Sequence, residues 1–216
     1  MADFSDYFRV LFLKAPVILF ALTAHEYAHA WVARRRGDNT AYMLGRVTLN
    51  PIKHLDLVGT IMLFFSGLFG WAKPVPVNPR NFKNPSKDMM LVGVAGPLTN
   101  LVLAAVFAVI YGAMSSAAQS SETFLNSEFF APLFFMAKAG IYVNVGLAIF
   151  NMLPIPPLDG SKVLYHFLPA DAASNYMRIE PYGFFILLFF IVTGALDKFM
   201  APVVYYAINL FMLGGF

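Results

Sequence analysis

The sequence predicts an all-α polytopic membrane protein with about five or six transmembrane helices and one small membrane-associated β or re-entrant element. Three observations predict it. Of the 216 residues, 59% are hydrophobic and only 12% are charged, and the mean hydropathy of +0.65 exceeds that of soluble domains of this size. The apolar residues gather in six blocks, at about 8–32, 57–70, 89–114, 129–153, 182–196 and 199–213. Most of the basic residues flank these blocks, and they form no patch of their own.

The first, third and fourth blocks are each long enough for a helical span, which takes about 20 residues. The two C-terminal blocks are shorter and fit either two tilted spans or one broken pair. We expect a single domain, 1–216, with a core at about 8–168 and C-terminal helices at about 181–214. The chain has no cysteine, which excludes disulfides and thiolate metal sites.

The lysines and arginines predict the orientation in the membrane. Nine of the fifteen lie between positions 34 and 87, whereas the polar loop at 115–128 has none, so the positive-inside rule places 34–87 in the cytoplasm and 115–128 outside. Both ends of the block at 57–70 then lie on one side, and its roughly 14 residues are too few for a comfortable crossing. We therefore expect a re-entrant or interfacial hairpin there. The chain has a net charge of +3, and its basic residues lie mainly at the ends of the spans. We therefore expect the lipid bilayer as a partner and do not expect nucleic acid.

The end of the first block carries the pentapeptide HEYAH, which contains His25, Glu26 and His29. Residues four apart share a helix face, so both imidazoles can bind one metal ion. Glu26 lies beside that face, where it can act on a metal-bound water. The alternative is a chance match or a pair of packing histidines. Ionisable side chains inside a span are costly and usually functional, which favours the metal site.

The segment NMLPIPPLDG, at 151–160, offers a third metal ligand in Asp159. A catalytic zinc ion takes three protein ligands and a water. Three prolines break the fourth span here, and broken helices at membrane depth line sites. A helix N-cap is the local alternative for Asp159. The two other histidines, His54 and His166, lie among interfacial residues, where we expect them to face solvent.

The motifs HEYAH, GVAGPLTN at 93–100 and NMLPIPPLDG resemble, in order and spacing, the site-2 protease family of intramembrane zinc metalloproteases. With GWAKPVPVNP at 70–79, the chain looks especially like the short bacterial and archaeal members, and it has no room for a PDZ or CBS domain. The resemblance covers about 21–168. It implies one zinc ion per chain and the following residues: His25, His29 and Asp159 as ligands, Glu26 as general base and Asn151 beside the scissile carbonyl.

The expected function is hydrolysis of peptide bonds in or near transmembrane segments of single-pass or other membrane proteins. Zinc-activated water would lose its proton to Glu26, at a site near the cytoplasmic side of the cell membrane. Asn151 would donate to the developing oxyanion. Its alternative role is a hydrogen bond between helices, which is also the role we expect for Asn100 and Asn144. The alternative functions are a metal or ion transporter and an inactive membrane scaffold that uses the same residues.

Two stretches are suited to hold an unwound substrate. AYMLGRVTLN, at 41–50, has strand-like composition, and KPVPVNP, at 73–79, is extended because each proline restricts the residue before it. The prolines remove donors from one edge of this second segment, whereas Val75 and Val77 keep theirs on the other. This pattern predicts a one-sided edge that pairs with a substrate. A rigid cytoplasmic connector is the alternative.

Overall fold

The computed structural model describes residues 4–66, 72–119 and 128–213. Within these ranges the secondary structure is helical, which confirms the predicted all-α class. The α-helices are α1 (Phe4–Arg36), α2 (Thr40–Met43), α3 (Leu57–Ser66), α4 (Pro85–Gln119), α5 (Phe130–Asn151), α6 (Asp159–Phe167), α7 (Ala170–Met177), α8 (Gly183–Val192) and α9 (Ala195–Leu213). Short 3-10 helices lie at Pro51–Lys53, Pro79–Asn81 and Glu180–Tyr182.

Four helical segments of the described ranges are long and apolar enough to cross a membrane. They are Phe8–Arg36, Pro85–Gln119, Phe130–Asn151 and Ala170–Val192. Large apolar side chains such as Phe12 and Val192 are 80% and 76% exposed, which suits contact with lipid. The ten-residue α3 and the 19-residue α9 are not among these four, so the described chain supplies fewer candidate spans than the five or six expected. The protein is a multi-pass membrane protein.

Helix α4 lies between α1 and α5 and packs against both. Small residues permit the close approach of α4 and α5, because Ala104 and Ala108 pack against Ile141 and Val145 in a buried cluster. Ile208 of α9 completes this cluster. The first, third and fourth apolar blocks thus form one bundle, and α9 covers part of its side.

The block at 57–70 begins as α3, and residues 67–71 lie outside the described ranges. On either side of it, Leu55 and Ala72 pair in an antiparallel bridge, and the Lys73 N–H donates to the His54 carbonyl oxygen at 2.8 Å. The chain therefore leaves and returns at one place, as a re-entrant hairpin requires. The bridge is isolated, and no strand forms within the described residues, so the small β element expected from the sequence is not shown.

The prediction of a strand at 41–50 is wrong at its beginning, because α2 covers Thr40–Met43. Gly45, at φ +65°, ends this helix with its N–H on the Tyr42 carbonyl oxygen at 2.9 Å, and the Arg46 N–H bonds the Ala41 carbonyl oxygen at 2.8 Å. These two bonds make a Schellman motif. Strand propensity depends on a partner strand, and the glycine cap instead fixes a short helix here.

The predicted break after the fourth block is confirmed. Helix α5 ends at Asn151, turns carry the prolines through 152–158, and α6 begins at Asp159. Gly160 makes this return possible, because a Cβ there would lie 2.1 Å from the Met152 carbonyl oxygen. The C-terminal blocks form a broken pair, in which Gly194, at φ +68°, separates α8 from α9.

Candidate metal centre

Two helices bring three ligand atoms together. His25 and His29 lie one turn apart on α1, and Asp159 is the first residue of α6. The two Nε2 atoms are 3.0 Å apart, and each lies 3.1 Å from Asp159 Oδ2. All three side chains are buried. The histidine pair is a local consequence of helix periodicity, whereas the carboxylate reaches it through the packing of α6 against α4.

Hydrogen bonds on the far side of each ring fix its tautomer. His29 Nδ1 lies 2.6 Å from the Val92 carbonyl oxygen, which can only accept, so this Nδ1 carries a proton. His25 Nδ1 lies 2.6 Å from Asn100 Oδ1. The Asn100 amide is oriented by its Nδ2, which donates to the Ala21 carbonyl oxygen at 3.3 Å, so its oxygen faces His25. In neutral imidazoles both Nε2 atoms are then bare lone pairs.

The convergence of these lone pairs fits a metal cation. Two bare nitrogens and one carboxylate oxygen meet with no proton between them when both rings are neutral. Without a positive charge they would repel one another in a buried place, where unsatisfied polar atoms are costly. Zinc prefers imidazole and carboxylate ligands at about 2.0–2.2 Å, which places neighbouring ligands of a tetrahedral site about 3.4 Å apart. The observed separations are close to this value, so the three residues fit zinc with one position left for water.

Lys162 holds the other oxygen of the Asp159 carboxylate. Its Nζ donates to Oδ1 at 2.8 Å, one turn further along α6, which leaves Oδ2 to face the histidines. The N-cap of α6 is Leu158, and the cap has no side-chain hydrogen bond. Asp159 therefore faces the ligand set and does not cap its helix.

Glu26 lines the same cavity as the three ligand residues, and the volume of this cavity is about 230 Å³. Its Oε2 accepts a hydrogen bond from the Val75 N–H at 3.0 Å. Pro74, Val75 and Val77 also line the cavity, so the segment 73–79 forms one of its walls. A carboxylate beside a three-ligand metal site is the arrangement of metal-dependent hydrolases.

Comparison with known proteins decides the family. The model of a family described as Peptidase family M50 matches residues 14–194. This chain belongs to peptidase family M50. The resemblance to site-2 proteases is thereby confirmed, and the M50 peptidase is a zinc metalloprotease.

Three relatives of this M50 peptidase carry names that describe candidate zinc metalloproteases. YwhC of Bacillus subtilis (strain 168) is 42% identical over 182 residues, which cover 82% of this chain and 78% of the relative. Rip2 of Mycolicibacterium smegmatis is 27% identical over 205 residues, which cover 93% and 74%. MJ0611 of Methanocaldococcus jannaschii is 31% identical over 143 residues, which cover 65% and 62%. No solved structure gives a significant match.

In the M50 peptidase, Asn151 is the last residue of α5 and lines the metal cavity. Its Nδ2 donates to the Leu147 carbonyl oxygen of its own helix at 2.9 Å, so this bond is not interhelical. The amide has a second proton that can serve as a donor. The interhelical role belongs to Asn100 and Asn144, because Asn100 Nδ2 of α4 donates to Asn144 Oδ1 of α5 at 2.8 Å.

The other two histidines lie outside the ligand set. His166 Nδ1 lies 2.9 Å from Ser86 Oγ. His54 is only 2% exposed, so its predicted solvent-facing position is wrong. Its Nε2 donates to the Thr48 carbonyl oxygen at 2.8 Å, beside the bridge that closes the hairpin. This fold of 48–55 onto itself buries the ring.

Two glycines of the GVAGPLTN motif shape the M50 site, and sequence reasoning missed their role. A Cβ on Gly96 would lie 2.5 Å from Nε2 of both His25 and His29. A Cβ on Gly93 would lie 3.0 Å from the Asp159 carbonyl oxygen. The glycine face of α4 thus makes room for the imidazoles and for α6. The signal was the run of small residues in this motif, because small residues are enriched where membrane helices pack closely.

Asp38 is a further missed residue, and it anchors the segment 73–79 to the end of α1. This buried carboxylate accepts hydrogen bonds from the Asn78 N–H at 2.8 Å, from Asn81 Nδ2 at 2.7 Å and from the Thr40 N–H at 3.1 Å. Burial raises the pKa of Asp38, but the bonds from Thr40, Asn81 and Asn78 lower it further, so it lies below its ordinary value. The charged side chain fixes one end of the wall that contacts Glu26.

Proposed function

We propose that this chain hydrolyses peptide bonds in or near transmembrane segments of other membrane proteins, single-pass proteins included. One observation carries the proposal: three metal-ligand atoms and Glu26 share a cavity on α1, which is itself long and apolar enough to span the membrane. Residues suited to a reaction that consumes water therefore lie on and beside a helix that can span the membrane. We place the site near the cytoplasmic side of the cell membrane, because nine basic residues lie between positions 34 and 87.

The chain's own residues divide the chemical work. Zinc bound by His25, His29 and Asp159 would polarise the scissile carbonyl and lower the pKa of a bound water. Glu26 is the proposed general base. Since its Oε2 accepts from the Val75 N–H, Oε1 is the oxygen that takes the proton of the attacking water and later gives it to the leaving amine.

Asn151 is the proposed donor to the oxyanion. One proton of its Nδ2 is used by the Leu147 carbonyl oxygen, and the second is the one we assign to the substrate. The bond to Leu147 restrains the amide without using both of its protons. Asn151 therefore combines a fixed orientation with a remaining donor.

The segment 73–79 is proposed to hold the unwound substrate. The edge that binds it is the one opposite to the Val75 and Val77 N–H groups, which the sequence predicted. The Val75 N–H bonds Glu26 and the Lys73 N–H bonds His54, so the free donor edge predicted at Val75 is wrong. In an extended chain alternate residues point the same way, which directs the carbonyl oxygens of Pro74 and Pro76 to the opposite edge. That edge only accepts hydrogen bonds, and the N–H groups of an unwound substrate can supply them.

The decisive experiment is the substitution Glu26→Gln, assayed on a model single-span membrane protein with a tag at each end. We expect zinc content to be retained and cleavage to fall by at least about 100-fold, since the amide cannot take a proton. Asp159→Ala should lose both zinc and cleavage, and His166→Ala, outside the site, should keep both. Undiminished cleavage by Glu26→Gln would contradict the proposed base. Bound zinc without cleavage in the wild-type chain would favour the transporter or scaffold alternatives.

A further inference from the structure

A second cavity lies directly beside the metal cavity. Its volume is about 260 Å³, and it is lined by α1, by the segment around the hairpin and by α5. Leu22 and Ala72 line both cavities, so the two spaces share walls. The part of α1 that lines it runs from Ile18 to Thr23, eight to three positions before Glu26, which places the second cavity about 5–12 Å along α1 from the proposed base.

The lining of this second cavity is mostly apolar. Leu22 and Leu55 are representative, and the polar lining residues include Thr23, His54 and Thr60. No acidic side chain, lysine or arginine is among the described residues that line it. A charged group would lose its hydration here without an opposite charge, which is costly. The chemistry of the walls therefore selects an uncharged, apolar occupant.

The position of this cavity indicates which apolar group enters it. A peptide extended along α1 across the metal site advances about 3.3 Å per residue, so a distance of about 5–12 Å from Glu26 corresponds to about two to four residues. A side chain near the scissile bond can thus reach the cavity, whereas the scissile bond itself stays at Glu26. Building on the proposed function, we propose that this cavity is a specificity pocket for one large apolar side chain of the substrate, within four residues of the cleaved bond.

Gly146 of α5 sets the size of the pocket. It lines the cavity, and a Cβ added there would meet no atom within 4 Å. A glycine inside a helix is about 1 kcal/mol less favourable than alanine, and here the missing side chain leaves space that the neighbouring residues do not fill. The Cβ of a larger residue at this position would enter the pocket without touching its walls, and the rest of the side chain would take up space inside it.

The first test uses Gly146→Leu on single-span model substrates that carry alanine, leucine or phenylalanine at each position flanking the cleaved bond. At one such position, kcat/KM for leucine and phenylalanine should fall about 10- to 200-fold, whereas kcat/KM for alanine should change little. Ala131→Leu places the same side chain at an exposed position of the same helix and should leave the preference unchanged. Gly146→Val gives an intermediate step should the leucine variant fail to fold. An unchanged preference in the filled variant would overturn the pocket.

The second test requires no turnover. Because the chain has no cysteine, Gly146→Cys in the Glu26→Gln background can be disulfide-linked to single cysteines placed along the model substrate. We expect cross-linking at one substrate position and its nearest neighbours on the same face, and none with Ala131→Cys. Uniform or absent cross-linking would assign the cavity to lipid or to internal packing and overturn the inference. Selective cross-linking without cleavage by the wild-type chain would instead retain the pocket and reject the proposed protease function.

Discussion

Replacement of Gly96 by alanine tests whether α4 shapes the metal centre. The added Cβ would lie 2.5 Å from Nε2 of His25 and of His29, about 0.9 Å short of the 3.4 Å at which ordinary contact begins. One or both rings must therefore move by a comparable distance, whereas metal–ligand distances tolerate only about 0.2 Å. Loss of an outer-shell contact alone costs about 10- to 100-fold in metal affinity, so we expect zinc affinity to fall by at least about 100-fold.

The helix itself should tolerate this change, because alanine is favoured over glycine in a helix by about 1 kcal/mol. The assay is chelator competition for zinc on the purified, detergent-solubilised protein, together with thermal unfolding of each variant after metal removal. Gly146→Ala is the matched control for zinc binding, since its Cβ meets no atom within 4 Å. Wild-type zinc affinity in a folded Gly96→Ala protein would refute the argument that this glycine makes room for the imidazoles.

Three further predictions follow from the bonds around the site. Asn100→Ala should bind zinc about 10- to 100-fold more weakly in the same competition assay; unchanged affinity would reject its orienting role. Asp38→Asn should unfold at a lower temperature than the wild type above about pH 4, and the difference should close as the pH falls through the depressed folded pKa; a gap that widens in acid would contradict this. Cysteines at Lys53 and Lys73 should label from the same side of the membrane, and labelling from opposite sides would reject the hairpin.

The features of the site that are local in sequence could be predicted. Helix periodicity alone places His25 and His29 on one face, and the prolines alone require the break before Asp159. The tautomers could not be predicted, because they depend on the Asn100 amide and on the Val92 carbonyl oxygen, which lie on another helix. Which face of α4 meets the histidines is decided by tertiary packing, so the role of its glycines was likewise hidden.

The error at 73–79 has its cause in the tertiary structure. In sequence, every N–H of an extended segment is an equivalent donor, and only the fold determines its partner. For Val75 that partner is the Glu26 carboxylate at 3.0 Å, whereas the described residues offer the Val77 N–H no hydrogen-bond partner. Of the two N–H groups on this edge, the one of Val75 therefore bonds the site and the one of Val77 does not, and the composition of the segment does not reveal this difference.

The hydrogen bond between Val75 and Glu26 links the position of Glu26 to the anchors of the segment 73–79. Lys73 is fixed at one end, because its N–H bonds the His54 carbonyl oxygen at 2.8 Å and its carbonyl oxygen accepts from Arg46 at 2.6 Å. Asn78 is fixed at the other end by Asp38 at 2.8 Å. Val75 lies between these anchors and donates to Glu26. If the proposed function holds, a substrate on the opposite edge of the segment would contact the same backbone that orients Glu26, so its binding and the orientation of Glu26 would be coupled through one short segment.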